Sequence, residues 1–179
     1  RRLNSQSETP RKNHVNAHVN VDGISISWKG HDCFRIAHAQ HVIYIDPFRL
    51  ASEPHDATLI FLTHEHMDHC SPEDIRKIIR NDTIIIATPD CQSKLKGLTF
   101  KQLLPVEPRK TYFAPLKFHT VPAYNLNKFR SPGIPFHPKI DGKVGYIIEL
   151  GNKRLYHAGD TDAVPELLSL SHIDIAFIP

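Results

Sequence analysis

The sequence predicts a layered α/β domain, and two observations carry that prediction. Short runs of β-branched and apolar residues alternate with helical segments along the chain, which is an order typical of α/β folds. The 179 residues, 40 % of them hydrophobic, are enough for one buried core, and no repeat or low-complexity stretch is found. We expect one domain over residues 23–179, preceded by a polar tail over residues 1–22 that lacks periodicity.

The first half of the predicted domain is a strand meander followed by alternating strands and helices. Residues 57–63, ATLIFLT, form an almost continuous apolar run, as expected of a strand buried on both faces. A helix over residues 72–80 follows, because Ser71 suits the N-cap and Pro72 suits the first helical position. The other strands predicted in this half lie over residues 24–28, 33–37, 41–46 and 83–87.

The second half is predicted to hold further strands and two short helices. Thr88 and Pro89 open a helix that should end near Gly97. The Pro- and Gly-rich residues 129–142 are expected to form a long loop inside the domain. The remaining predictions are strands over residues 115–121, 144–150, 153–159 and 173–179 and a helix over residues 162–170.

Composition argues against several classes of protein. Lys and Arg exceed Asp and Glu by only 22 to 19 and are scattered, so charge gives little support to a nucleic-acid or membrane surface. No apolar run approaches the roughly 20 residues that span a bilayer. The three cysteines, Cys33, Cys70 and Cys91, lack CxxC spacing, which argues against a disulfide framework or a cysteine-rich zinc site. We therefore expect a soluble protein in a reducing compartment, the cytoplasm.

The segment THEHMDHCSPEDI, residues 63–75, concentrates potential metal ligands at the end of a buried strand. Imidazole nitrogens and a carboxylate suit Zn²⁺ or a similar divalent ion. A solvated polar loop is the alternative, but four potential ligands within six residues favour a metal site. His64 and His66 can serve one ion, while Asp68 and His69 serve a second ion close by.

The HxHxDH pattern resembles that of the metallo-β-lactamase superfamily. The segments WKGHDCFRI, VIYIDPF, LTHEHMDHCSPEDI and YHAGDTDAVPEL are similar to the branch of small metal-dependent hydrolases that includes the ascorbate-phosphate lactonase-like proteins. The resemblance covers about residues 24–179 and implies a four-layer αββα sandwich with the metal site at one edge of the two sheets. It implies that His64 and His66 bind the first metal, that Asp68 and His69 bind the second, and that Asp160 bridges both.

One expected ligand is absent from its usual place. Members of the superfamily carry a third histidine for the first metal after the strand that corresponds to FHTVPAYN, where this chain has Tyr124 and Asn125. Two nearby histidines are candidates. His119 alternates along a strand and is expected to have an ordinary surface or packing role. We prefer His137, because it lies in the long loop, which can fold back over the site.

Both ends of the chain predict an incomplete sequence. The only methionine is Met67, so Arg1 is not an ordinary translation start, and a cleaved, engineered or incomplete N-terminus is expected. The last metal histidine of the superfamily follows a further helix and strand, whereas this chain ends at Pro179, and its late histidine, His172, precedes a strand. The resemblance therefore implies that the C-terminal part of the domain is missing.

The predicted function is that of a metal-dependent hydrolase that uses a metal-bound hydroxide on a phosphoester, a lactone or another ester. The expected cofactors are two divalent metal ions, with zinc preferred and manganese or iron as alternatives. Asp68 is the predicted catalytic residue, because a carboxylate beside the nucleophile can orient it or receive its proton. Asp46 is either an acceptor that fixes a ligand imidazole or an ordinary turn residue before Pro47.

Two alternative functions follow from the same residues. Some superfamily members cleave RNA, but the extended basic and aromatic surface of a nuclease is not visible here. A non-catalytic metal-binding scaffold is the second alternative, since two of the usual histidines are absent. The expected partner is a small-molecule substrate; neither a membrane nor a nucleic acid is expected, and a homo-oligomer is left open.

Overall fold

The computed structural model describes residues 17–178, which form two β-sheets packed face to face. The first sheet has seven strands in the order β1 to β7: His18–Val21, Ile24–Gly30, Cys33–His38, His41–Ile45, Leu59–Leu62, Ile84–Ala87 and Gln102–Pro105. The second sheet has the order β14, β13, β12, β9, β8: Ile175–Phe177, Lys153–His157, Val144–Leu150, Phe118–Pro122 and Thr111–Tyr112. A separate ribbon pairs β10, Phe129–Ser131, with β11, Ile134–Pro135.

Strand direction in the first sheet brings the carboxyl ends of neighbouring strands together at one edge. Strands β1 to β4 form an antiparallel meander, whereas β4, β5, β6 and β7 run parallel. The carboxyl ends of β4 and β5 therefore lie side by side. The loops that follow them carry Asp46 and the histidine cluster. Strand β5 is buried along its whole length, as its apolar run predicted.

The core between the two sheets is built around aromatic rings. Phe61 of β5 makes edge contacts with Phe118 and Tyr146 of the second sheet, at centroid distances of 5.2 and 5.0 Å. The hydroxyl of Tyr146 donates a hydrogen bond to the carbonyl oxygen of Leu62 at 2.7 Å. This bond joins the two sheets at the end of β5, so the strand that carries the histidine cluster is held from both sides.

Helical segments cover the outer faces of both sheets. Helix α1, Pro72–Ile78, packs Ile75 and Ile78 against the outer face of the first sheet. The 3₁₀ segment Pro165–Ser169 covers part of the second sheet, where its Leu167 packs on a cluster that includes Tyr156. The four layers confirm the predicted αββα sandwich. No helix among residues 17–178 combines the length and apolar character needed to cross a lipid bilayer.

Residues 18–21 of the predicted tail and the predicted long loop are more ordered than expected. Residues 18–21 form β1, whose backbone pairs with β2. Three of its four side chains are exposed, so the apolar alternation that reveals a strand is absent. Residues 1–16 lie outside the part of the chain that the structure describes. Residues 129–142 contain the β10–β11 ribbon and the 3₁₀ segment Lys139–Asp141 instead of a continuous loop.

The predictions of a short helix after Thr88 and of another over residues 162–170 are wrong about the type of helix. Each is a single 3₁₀ segment, Pro89–Ser93 in one case and Pro165–Ser169 in the other. Proline correctly marks the start of both, because its fixed φ suits a helical first turn. A start signal says little about how far a helix continues, and neither segment has a side-chain cap hydrogen bond.

Gly159, in the loop after β13, occupies a position that only glycine fits. Its φ is +64°, and an added Cβ would lie 2.9 Å from the carbonyl oxygen of Val144 and 3.2 Å from Cβ of Thr63. Since this backbone supports Asp160, we expect Gly159→Ala to lower the free energy of unfolding by about 2 kcal/mol or more, through strain and the close contact. Chemical denaturation measures this loss.

Gly97→Ala is the matched control for that prediction. Gly97 also has a positive φ, of +79°, but an added Cβ would meet nothing within 4 Å. Gly97→Ala should lower the free energy of unfolding by about 1 kcal/mol, which reports backbone strain alone. Equal losses in the two variants would contradict the proposed close approach at Gly159.

Candidate metal centre

The polar residues predicted to form a site come together at one edge of the sandwich. His64, His66, Asp68 and His69 lie in the connection between β5 and α1, and Asp160 lies three residues after the end of β13. His137 lies between β11 and β12 and is buried, with 2 % of its surface exposed. The ends of strands from both sheets meet at this edge. Residues far apart in the sequence therefore converge there.

His64, His66 and His137 form the first group. Their potential ligand atoms all lie within 4.8 Å of one another. His137 Nε2 lies 3.1 Å from His66 Nδ1. Two ligands of one tetrahedral ion, each about 2.0 to 2.1 Å from it, are about 3.3 Å apart. The separation between His66 and His137 is therefore close to that of two donors to one shared ion.

Asp46 orients the imidazole of His69 directly and that of His64 through Thr63. Its Oδ2 accepts hydrogen bonds from His69 Nδ1 at 2.7 Å and from the Thr63 hydroxyl at 2.6 Å. The Thr63 oxygen also lies 2.9 Å from His64 Nδ1. Because the Thr63 hydrogen is donated to Asp46, we assign the proton of this second bond to His64 Nδ1. His64 Nε2 and His69 Nε2 are then the atoms left for a metal, which is the usual role of a carboxylate behind ligand histidines.

The first group fits a divalent metal by its own chemistry. His64 Nε2 and His137 Nδ1 are buried and have no hydrogen-bond partner among the residues that the structure describes. Burial, followed by the neighbouring His69 and Lys143, lowers the pKa of His64, and burial also lowers the pKa of His137. Both imidazoles are therefore neutral at neutral pH and present lone pairs, as a metal ligand must.

A second group surrounds His69. Its Nε2 lies 3.6 Å from an oxygen of Asp68 and 3.7 Å from an oxygen of Asp32. His31 Nε2 lies 2.9 Å from the same Asp68 oxygen. Burial lowers the pKa of His69, but Asp46 and then Asp68 and Asp32 outweigh it and raise that pKa to about 9. Surroundings that stabilise an added proton in this way also suit a metal cation in its place.

Asp160 lies between the two groups. One of its oxygens is 3.5 Å from His137 Nδ1, and it also forms a group of possible ligands with His64 and His69. Its side chain is partly exposed, so it faces the open side of the cluster. The resemblance to the superfamily predicts that this residue bridges two ions.

Comparison with known proteins shows the family to which the chain belongs. The sequence profile described as the beta-lactamase superfamily domain matches residues 25–179. The chain belongs to the beta-lactamase superfamily. The predicted family membership is thus confirmed. An UPF0173 metal-dependent hydrolase from Thermoplasma acidophilum is 27 % identical to it, over 89 % of this chain and 71 % of that protein.

Solved structures extend the comparison within the superfamily. The structure of a candidate metal-dependent hydrolase from Parabacteroides distasonis is 30 % identical, has a TM-score of 0.73, and is matched over 92 % of this chain and 74 % of that one. A metallo hydrolase from Ignicoccus hospitalis, 22 % identical with a TM-score of 0.56 over 80 % of this chain and 64 % of that one, shares the fold. The chain is therefore a member of a family of metal-dependent hydrolases, as predicted.

The residues near the usual third-ligand position of the superfamily have other contacts. His119 bonds to Thr111 and Glu149 on the second sheet, at 2.8 and 2.7 Å. Asn125 holds the loop of His137: its Oδ1 accepts from the His137 backbone nitrogen at 3.1 Å, and its own backbone nitrogen donates to the His137 carbonyl oxygen at 2.9 Å. Asn125 therefore fixes the backbone that carries His137.

Glu65, inside the HxHxDH segment, anchors the metal-site loop. Its Oε2 accepts from the ammonium group of Lys143 at 2.5 Å, and Lys143 is almost fully buried. Burial raises the pKa of Glu65, but hydrogen bonds from Lys143 and Asp90 and the charge of Lys143 together outweigh burial and lower that pKa. Lys94 donates to the backbone oxygen of the same residue. Glu65 therefore stays ionised and fixes the backbone between His64 and His66.

Sequence reasoning missed His31 and Asp32, although both stand in the segment WKGHDCFRI that resembles the superfamily. A short polar pair between two strands has the ordinary composition of a turn, so the pattern did not separate a ligand from a turn residue. For Asp46, both readings hold. It accepts from His69, and it has a turn conformation with φ of +45° before Pro47.

Asp46→Asn is expected to weaken metal binding about 10-fold without unfolding the chain. Asparagine tolerates the positive φ at this position, but it lacks the charge that polarises His69 and Thr63. Isothermal titration with Zn²⁺ measures the change. Asp56→Asn is the control, because Asp56 bonds to Arg35 and Tyr44 before β5, away from the cluster. An equal loss in both variants would show that Asp46 has no special part in metal binding.

Proposed function

We propose that the chain is a hydrolase that cleaves a phosphoester, a lactone or another ester by the addition of water. The single observation that carries this proposal is the group of His64, His66 and His137, in which the buried His64 Nε2 lacks a hydrogen-bond partner among residues 17–178. Such a group is costly unless a cation occupies it. Membership in a family of metal-dependent hydrolases supports the same reading.

The proposed ligands are those of the two groups. In this proposal His64, His66 and His137 bind the first ion, Asp68 and His69 contribute to the second, and Asp160 bridges them. Zinc is the preferred metal, since neutral imidazoles in a near-tetrahedral arrangement suit it, with manganese or iron as alternatives. When bound, a divalent ion would lower the pKa of the water that it holds toward neutral pH. It would also offset the negative charge that develops on the substrate oxygen.

Asp68 is the proposed catalytic residue. It is partly exposed, so water and substrate can reach its carboxylate. Burial raises its pKa, but hydrogen bonding from His31 and the nearby His69 outweigh that and lower the pKa of Asp68. The carboxylate is therefore ionised at neutral pH. It can orient the attacking water and accept its proton.

The proposed substrate is a small molecule with a negative charge. A cavity of about 750 Å³ opens beside Asp68 and His31, and Lys29 and Arg49 also line it. The Arg49 guanidinium lies 4.9 Å from the centre of the Phe48 ring, so the cavity wall combines an apolar surface with positive charge. Pockets of this size hold small ligands, and the two cations favour a phosphate or carboxylate group.

The cytoplasm is the proposed location. All three cysteines lie within the described residues, and each is a buried free thiol. Thiols of this kind persist in a reducing compartment.

The proposed function predicts metal-dependent turnover of simple reporter substrates. The metal-loaded chain should hydrolyse bis(p-nitrophenyl) phosphate or a p-nitrophenyl ester, and a chelator should abolish the reaction until metal is added back. Among esters of equal leaving group, one that carries a carboxylate should have a lower KM than its neutral counterpart. Tight metal binding without hydrolysis of any reporter would contradict the proposal and favour the non-catalytic scaffold.

A further inference from the structure

The turn between β2 and β3 brings two further potential metal ligands, His31 and Asp32, to the site. The potential ligand atoms of His31, Asp32 and His69 all lie within 4.8 Å of one another. His31 Nε2 lies 2.9 Å from an oxygen of Asp68. His69 Nε2 lies 3.6 Å from that oxygen and 3.7 Å from an oxygen of Asp32. These values bracket the separation of about 3.3 Å between ligands of one tetrahedral ion.

Asp32 carries a largely buried carboxylate in this group. Its side chain is only 9 % exposed. Among residues 17–178, no group donates a hydrogen bond to its carboxylate. A buried carboxylate without a donor is costly, whereas a bound cation removes the cost. His69, which Asp46 holds from its other nitrogen, is the nearest partner, at 3.7 Å.

The turn is held so that both side chains face the cluster. The backbone oxygen of Asp32 accepts from His157 Nε2 at 2.8 Å, and the backbone oxygen of His31 accepts from the Trp28 indole at 2.7 Å. His31 has a φ of +47°, a conformation that costs energy for a residue other than glycine. The strained turn places its imidazole against Asp68 and the edge of the Phe48 ring.

We propose that His31 and Asp32 complete a second divalent-metal site with Asp68 and His69. The inference rests on the proposed function, since it adds ligands to the second ion of that site. With the bridging Asp160, these residues supply three carboxylates and two imidazoles, which are donor types that zinc accepts. His31 and Asp68 also line the cavity, so the second ion would lie where a negatively charged substrate enters.

Metal stoichiometry of variants tests this proposal. The wild-type chain, dialysed against Zn²⁺ and freed of excess, should hold about two ions, and His31→Ala and Asp32→Asn should each hold about one. Cobalt substitution supplies a second readout, because loss of one site removes its part of the visible absorption. His172→Ala is the matched control: His172 is exposed and also has a positive φ, of +56°. It should keep about two ions.

His31→Gln separates a ligand from a residue that only positions Asp68. Its amide can donate to Asp68, but it is a poor zinc ligand. If His31 binds the ion, the His31→Gln variant should lose the second ion, as the His31→Ala variant does. Recovery of the second ion in the Gln variant, or its retention in His31→Ala, would overturn the proposal. A wild-type chain with one ion would overturn this inference alone, whereas a chain with none would also overturn the proposed function.

Discussion

Replacing Asp68 with alanine is expected to lower turnover by at least about 1000-fold while the fold persists. The residue is proposed both to contact the second ion and to orient or deprotonate the attacking water, so its loss removes two contributions at once. Its side chain is 44 % exposed and lies at the rim of the site, so little packing is lost. Initial rates on the best reporter ester, with far-UV circular dichroism and metal content, measure these effects.

Asp82→Ala is the control for this loss. Asp82 is an exposed carboxylate that pairs with Arg80 near the start of β6, away from the site. That variant should turn over at the wild-type rate. Wild-type turnover by Asp68→Ala itself would remove Asp68 from the mechanism, and the catalytic proton acceptor would then have to be sought elsewhere.

Replacing His137 with alanine is expected to weaken binding of the first ion by at least about 100-fold, roughly 2.7 kcal/mol. The variant removes one of three proposed histidine ligands and leaves His64 and His66 with the bridging Asp160, a set that holds a divalent ion less tightly. It leaves Asp68 and His69 in place. Competition with a chromophoric chelator measures the affinity of each site.

His119→Ala provides the comparison for His137. Both histidines are at least partly buried and both were candidates for the third ligand, but His119 bonds to Glu149 and Thr111 on the second sheet. Its variant should bind metal like the wild type, with some loss of stability. If His137→Ala binds metal normally, the third ligand is another group, and the role proposed here for His137 is wrong.

Local signals in the sequence predicted much of the fold correctly. The apolar run of β5 required burial on both faces, and Ser71 with Pro72 marked the start of α1. These signals work because the physical cause lies within a few residues of its effect. Strands β1, β7 and β8 escaped prediction, since most of their side chains are exposed or only partly buried and backbone pairing with neighbours holds them.

The sequence by itself determined the family, the sandwich and the contiguous cluster from His64 to His69, because ligands that share one loop reveal themselves by spacing. The tertiary structure alone decided which distant groups join them. Asp46 meets His69 across 23 positions and His31 meets Asp68 across 37. His137 meets His66 across 71 positions. Such partners come together only when strand ends from both sheets converge at one edge, and that convergence depends on strand order and direction, which no short pattern of residues encodes.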